Sequence, residues 1–224
     1  MDKVFYDKCK DRLNQISNSM LRTNQSFCVI IQLNNFKEKY NDLINISPAF
    51  YTSVIDCCME SLFIEIDKMF DPKTNGVGIR GLLITMQNNT DLLDNSRSIE
   101  ANETTALDNY SMTTKEYNSI VQLINDSINK INNNEIIIKN VKTLRDKYFA
   151  HRESKVNYNK LFKNNPVSMA DIEKLLVLNA NIVNALYMYF YNRTLFPIAH
   201  NHDDFNKTVF YIKKGVDSRG QHTS

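Results

Sequence analysis

At 224 residues, with 42% hydrophobic and 23% charged residues, the chain can bury a core and is composed like a globular protein rather than a disordered one. Five glycines, four prolines and no tryptophan argue against a turn-rich β-sandwich or barrel. The net charge of +2 conceals an asymmetry: Lys139–Lys163 holds eight basic residues (Lys139, Lys142, Arg145, Lys147, Arg152, Lys155, Lys160, Lys163) against Asp146 and Glu153, so that window carries +6 and the remainder −4. A concentrated positive field suits a polyanionic partner, although charge alone fits a solvated basic loop equally well.

The opening Met1-Asp2-Lys3 has no apolar run behind it, which predicts no signal peptide. No window approaches the apolar length needed to span a bilayer. Cys9, Cys28, Cys57 and Cys58 lie in helical apolar patterns without zinc-ligand spacing and are expected to be reduced core residues of a cytoplasmic protein.

Apolar spacing predicts helix along most of the chain. A first helix over about Lys3–Met20 places Phe5, Cys9, Leu13, Ile16 and Met20 on one stripe, and a second spans about Asn24–Ile44. Ser47-Pro48 reads as an N-cap followed by a first-turn proline, opening a helix with Ile55, Met59, Leu62, Ile66 and Met69 that Asp71-Pro72 ends. Asn75-Gly76-Val77-Gly78 lacks the Gly-Lys-Ser/Thr continuation of a phosphate loop and predicts a turn into a short helix over Ile79–Asn88. The polar stretch Asn89–Met112 is expected to be a long mobile loop. Thr113 and Glu116 fit a capping box ahead of a stripe of Tyr117, Ile120, Ile124, Ile128 and Ile131. A second stripe follows with Ile137, Val141, Leu144 and Tyr148; Asn132-Asn133-Asn134 leave open whether this is one helix or two. Ser168 and Asp171 start a last long helix whose apolar face holds Ile172, Leu175, Leu176, Ile182, Val183, Leu186 and Phe190. Thr208–Ile212 is a candidate short strand in an otherwise irregular tail. The expectation is an all-α antiparallel bundle forming a single domain over 1–224, with its core at about 24–194 and a tail from 195.

The chemistry-bearing stretch reads Leu-Arg-Asp-Lys-Tyr-Phe-Ala-His-Arg from Leu144. On a straight helix, Arg145 and His151 flank the apolar stripe about 120° apart. They converge only if the helix ends or kinks near Ala150, or if a second copy supplies a partner group. In isolation, Arg145 can cover the core edge and His151 can mark a helix C-terminus.

Arg145, Asp146, four further residues and His151 resemble the arginine–histidine signature of HEPN domains, in which four to six residues separate the two. The wider chain, over roughly Ser47–Phe190, resembles the HEPN branch associated with bacterial abortive infection of the U type, through Phe70-Asp71, Lys73-Thr74, Leu82-Leu83, Arg145-Asp146-Lys147 and Ala150-His151. That resemblance implies a helical bundle that forms a homodimer with two motifs facing each other, and a metal-independent ribonuclease of toxin–antitoxin or antiphage systems, without a cofactor. Arg145 would then hold the scissile phosphate, His151 would transfer protons and Asp146 would orient one of them. Lys142, Lys147, Arg152 and Lys155 would hold flanking RNA phosphates, and an antitoxin or other regulatory protein is an implied partner. The alternative is a catalytically silent HEPN module that binds RNA, nucleotide or a partner protein. Glu153 stands where some HEPN toxins carry a tyrosine that a partner nucleotidyltransferase modifies, which argues against control of that kind. Two further clusters, the carboxylates Asp67 and Asp71 and the tail Pro197-Ile198-Ala199-His200-Asn201-His202-Asp203-Asp204, are expected to be an exposed helix end and a polar loop.

Overall fold

No glycine or proline interrupts the chain before Pro48, and helix α1 accordingly runs unbroken from Lys3 to Lys39. The two helices expected over this stretch are one, because Leu21-Arg22-Thr23 offers no breaker. The computed structural model describes residues 2–39, 45, 47–107, 112–150, 157–195 and the single positions 207, 211 and 214. Among these lie six further helices: α2 (Pro48–Phe70), α3 (Ile79–Gln87), α4 (Ile120–Asn132), α5 (Glu135–Leu144), α6 (Tyr158–Asn164) and α7 (Met169–Tyr191). A two-stranded antiparallel sheet, β1 (Ile99–Thr104) and β2 (Met112–Tyr117), completes a mostly helical fold.

The chain divides into two compact units, one of Met1–Leu21 with Phe63–Pro197 and the other of Arg22–Leu62 with Ile198–Ser224. In the first, the early turns of α1 run antiparallel to the late turns of α7. Tyr6 donates to the Phe190 carbonyl at 3.2 Å, while the Tyr187 hydroxyl lies 2.9 Å from both Asn14 Oδ1 and Ser17 Oγ. Cys9, Leu13, Ile16 and Met20 are at most 2% exposed, so the buried set begins well before residue 24. The face expected for α7 is the face that is buried, and Ser168 and Asp171 form the reciprocal capping box that starts it. In the second unit, Phe27, Ile30, Leu33 and Leu62 are buried.

Of the cysteines expected in the core, only Cys9 is there, and burial pushes its thiol up to about 11. Cys28 and Cys58 are half-buried and Cys57 is exposed. Successive helical residues point about 100° apart, so one apolar face cannot bury both members of the Cys57-Cys58 pair.

The sheet replaces part of the expected 89–112 loop and the expected Thr113 capping box. It pairs Ile99 with Tyr117 through to Thr104 with Met112. Asn181 of α7 accepts from Thr104 N at 2.9 Å and donates to Thr104 O at 2.8 Å, acting as a side-chain substitute for a neighbouring strand. Asn184 donates to the Asn102 carbonyl at 2.6 Å. The β-branched Thr113-Thr114 pair suits a strand, and the cap of α4 moves to Ser119, which accepts from Gln122 N at 3.3 Å. The tail strand expected at Thr208–Ile212 lies outside the described residues except for Tyr211, whose backbone is helical.

A charged seam joins the sheet to α4. Glu103 accepts from Tyr117 and Lys130, and Asp126 accepts from Lys115 at 2.8 Å with Lys130 at 3.4 Å. Burial opposes the charge on Asp126, but the Lys115 hydrogen bond and Lys130 outweigh it and hold the carboxyl below its ordinary value of 3.8. A depressed carboxyl contributes stability that is present above its ordinary pKa and lost as pH falls through the lowered one. Asp126→Asn is therefore expected to lose stability at pH 7 and to flatten the stability profile below pH 4, as checked by urea midpoints measured across that range. An unchanged acid limb would refute this role.

Candidate functional site

Ile138, Val141 and Leu144 seat α5 on the core; the buried residue of its first turn is Ile138, whereas the expected Ile137 is half-buried. At Arg145 the backbone changes to a π-helical stretch that runs to Ala150. Such widened turns insert an extra residue per turn, re-aim side chains and recur at functional sites.

Arg145 opens that stretch in a cluster of four charges. One terminal guanidinium nitrogen donates to Asp67 Oδ2 on α2, and the other pairs with Asp146 Oδ1 at 2.9 Å. Lys142 Nζ stands 3.8 Å from Asp67 and 3.9 Å from Asp146. The Asp67 side chain is only 10% exposed and that of Arg145 26%. Buried charges persist when they are paired, and here two positive and two negative groups cancel. Arg145 Nε is buried with no hydrogen-bond partner among the described residues.

Asp67 was expected at an exposed helix end, and the structure corrects this. Phe63, Asp67 and Phe70 share one face of α2 at helical spacing, with Phe63 and Phe70 at most 3% exposed. A carboxylate on a buried stripe is the sequence signal that marks it. Asp71 does not join the cluster; it accepts from Lys73 N at 3.1 Å.

One step along, Phe149 packs on Phe63 with ring centroids 4.6 Å apart, which fixes the π-helical stretch against α2. The structure thus brings together Arg145, Asp146 and Lys142 from the expected site and adds Asp67. Lys147 is exposed and makes no ion pair among the described residues. His151, Arg152 and Lys155 lie outside the described residues, as does the His200–Asp204 cluster. No three His, Cys, Asp or Glu side chains gather as a metal site among the described residues, and no helix among them is long and apolar enough to cross a membrane.

The family model of AbiU2, a HEPN-type abortive-infection family, matches residues 6–208. The chain belongs to the AbiU2 HEPN family. The matched span extends beyond the Ser47–Phe190 span of the resemblance and includes the positions of Asp67, the Arg145 cluster and His151. It identifies the molecule as a HEPN module of abortive infection. No match was found among curated proteins or solved structures. In this AbiU2 chain the motif arginine is thus tied to a carboxylate on the helix that precedes the Asp71-Pro72 break, a connection that no local pattern contains.

Proposed function

We propose that this AbiU2 protein is a metal-independent RNA endonuclease, acting in the cytoplasm as a homodimer in antiphage abortive infection or a toxin–antitoxin pair. The observation that carries this reading is the grip of Asp67 and Asp146 on Arg145, at the head of the π-helical stretch that leads to His151. A guanidinium fixed from two sides is preorganised, so it can meet developing phosphate charge without reorganising. It has five N–H donors; the two carboxylates leave several free, and the side chain still reaches solvent.

RNA brings its own nucleophile. In the proposed step, His151, with an ordinary pKa of about 6.5, takes the 2′-hydroxyl proton. The 2′-oxygen bonds to phosphorus, the bond from phosphorus to the 5′-oxygen breaks, and a proton from an acid, the second motif's histidine in a dimer, completes the 5′-hydroxyl. The products carry a 2′,3′-cyclic phosphate and a 5′-hydroxyl. Lys142, Lys147, Arg152 and Lys155 hold neighbouring phosphates, and an antitoxin or other regulatory protein restrains the activity.

Incubation of the purified protein with total RNA and tRNA in EDTA is expected to give new ends of that chemistry. The catalytically silent reading has one observation in its favour, since both terminal nitrogens of Arg145 already face carboxylates. It expects RNA binding that weakens steeply with salt and no new ends, and intact RNA in this assay would select it.

A further inference from the structure

Beside the charged cluster lies a group of aromatic rings that the proposed cleavage chemistry does not use. Tyr148, three residues after Arg145, meets Phe149, Tyr158 and Phe162 with ring centroids 4.8, 5.1 and 5.0 Å away, each edge to face. Tyr158 and Phe162 are one turn apart on the same face of α6. That helix is fixed at its start by Asn157, which accepts from Lys160 N at 3.1 Å, and along its length by buried Leu161. Aromatic rings so mutually packed would ordinarily be covered, yet Phe162 is 40% exposed and Tyr148 and Tyr158 are only half-buried. Lys147 and Lys163, each next in sequence to one of these rings, are exposed and make no ion pair among the described residues, while Lys160 lies on the opposite face of α6.

We propose that Tyr148, Tyr158 and Phe162 form a base-stacking platform for single-stranded RNA next to Arg145. The inference rests on the RNA reading of the Arg145 site and deepens it by naming the form of RNA taken. Aromatic rings in a basic setting are how proteins hold single strands: rings take unstacked bases and ammonium groups take the phosphates. A protein partner would also use the aromatics, but lysine is depleted in protein interfaces, and Lys147 and Lys163, exposed and without an ion pair among the described residues, favour the polyanion. In a duplex the bases are stacked on one another and cannot reach Phe162.

The test uses the full chain and a short 2′-O-methyl oligoribonucleotide carrying 2-aminopurine, which has no free 2′-hydroxyl and so reports binding without cleavage. Wild type is expected to bind the single strand, with a fluorescence change from stacking. Phe162→Ala is expected to weaken that binding about tenfold while leaving binding to the matching duplex unchanged. Phe162→Leu keeps the apolar bulk without the π-face and is expected to lose affinity similarly, which separates stacking from folding. The platform is overturned by equal single-strand affinity in wild type and both variants, by no binding in wild type, or by an equal loss on single strand and duplex. Dissociation of an oligomer by Phe162→Ala, seen by light scattering, would also overturn it, because the rings would then be covered by a second copy. Cleavage of natural RNA is scored separately. Cleavage without any Phe162 dependence of binding removes the platform alone, and Phe162-dependent binding without cleavage removes the ribonuclease reading alone.

Discussion

Arg145→Ala is expected to lower RNA cleavage by about 10²–10³-fold and, in addition, to destabilise the fold by about 2 kcal/mol. The two losses have different causes. Activity is expected to fall because the proposed contact of the guanidinium with the phosphate is gone. Stability falls because Asp67, 10% exposed, loses the guanidinium and is left with Lys142 at 3.8 Å. A fully buried pair broken on one side costs about 3–5 kcal/mol; partial exposure of Arg145 and the reach of Lys142 reduce that. Asp67→Asn in the Arg145→Ala background removes the stranded charge and is expected to recover about 1 kcal/mol without recovering activity. Arg145→Lys restores a positive charge but not the fork that addresses Asp67 and Asp146 together, so it should regain more stability than cleavage. Urea denaturation and initial cleavage rates of the four proteins read this directly. An Arg145→Ala protein as stable as wild type would deny the Asp67 pair, and one that cleaves normally would remove Arg145 from the chemistry.

The same cluster changes how the basic window works. The +6 of Lys139–Lys163 is greatest in the sequence around Arg145, but in the fold Asp67 arrives from outside the window, Asp146 turns onto the arginine, and Glu135 lies 3.9 Å from Lys139. On the proposed RNA reading, long-range attraction would fall to the exposed lysines that make no ion pair among the described residues, Lys147, Lys160 and Lys163. Arg145 would then be reserved for the proposed short-range phosphate contact, its guanidinium already held by Asp67 and Asp146. On this proposed division of labour, exposed lysines would set encounter and affinity, and the gripped arginine would set rate.

What sequence disclosed depended on how local its cause was. The last helix was legible in full, because Ser168 and Asp171 cap each other within one turn and Ile172 to Phe190 keep helical period throughout. The split between α4 and α5 was visible only as an ambiguity at Asn132-Asn133-Asn134, which the fold resolves into a break at Asn133 and Asn134. The hairpin escaped because its strands are short and polar, and part of what holds it comes from Asn181 and Asn184, 77 and 82 residues away from their partners. The site divided in the same way. Arg145 and Asp146 were legible as a motif, while Asp67, the second carboxylate that holds Arg145, lies 78 residues earlier than it. A straight helix set the 120° separation of Arg145 and His151; the π-helical stretch shows that the backbone between them is not straight α-helix.

Gly78→Ala is expected to cost about 3 kcal/mol, with a fall in Tm on the order of 10 °C. Gly78 has φ −91° and ψ 154°, a backbone conformation that alanine adopts freely, so the whole cost is steric. The residue is buried at the N-cap of α3, where the chain passes over the last turn of α2. A Cβ there would stand 2.7 Å from the Met69 carbonyl oxygen and closer still to that of Lys68. Neither obstacle is a flexible side chain that can swing away; both are backbone, and relief requires α2 and the start of α3 to part. Lys68 directly follows Asp67 in the chain, so the displacement reaches the carboxylate that grips Arg145, and the folded fraction of Gly78→Ala should cleave RNA more slowly than wild type. Gly76→Ala is the control in the same loop. Its Cβ would meet only Lys73, 3.1 Å from the carbonyl oxygen, at a half-exposed turn that can yield, and its loss should stay below about 1 kcal/mol. Equal thermal midpoints for the two variants would mean that the loop, not its approach to α2, sets the cost. A midpoint for Gly78→Ala matching wild type would mean that the close packing of α2 on α3 is relaxed in solution.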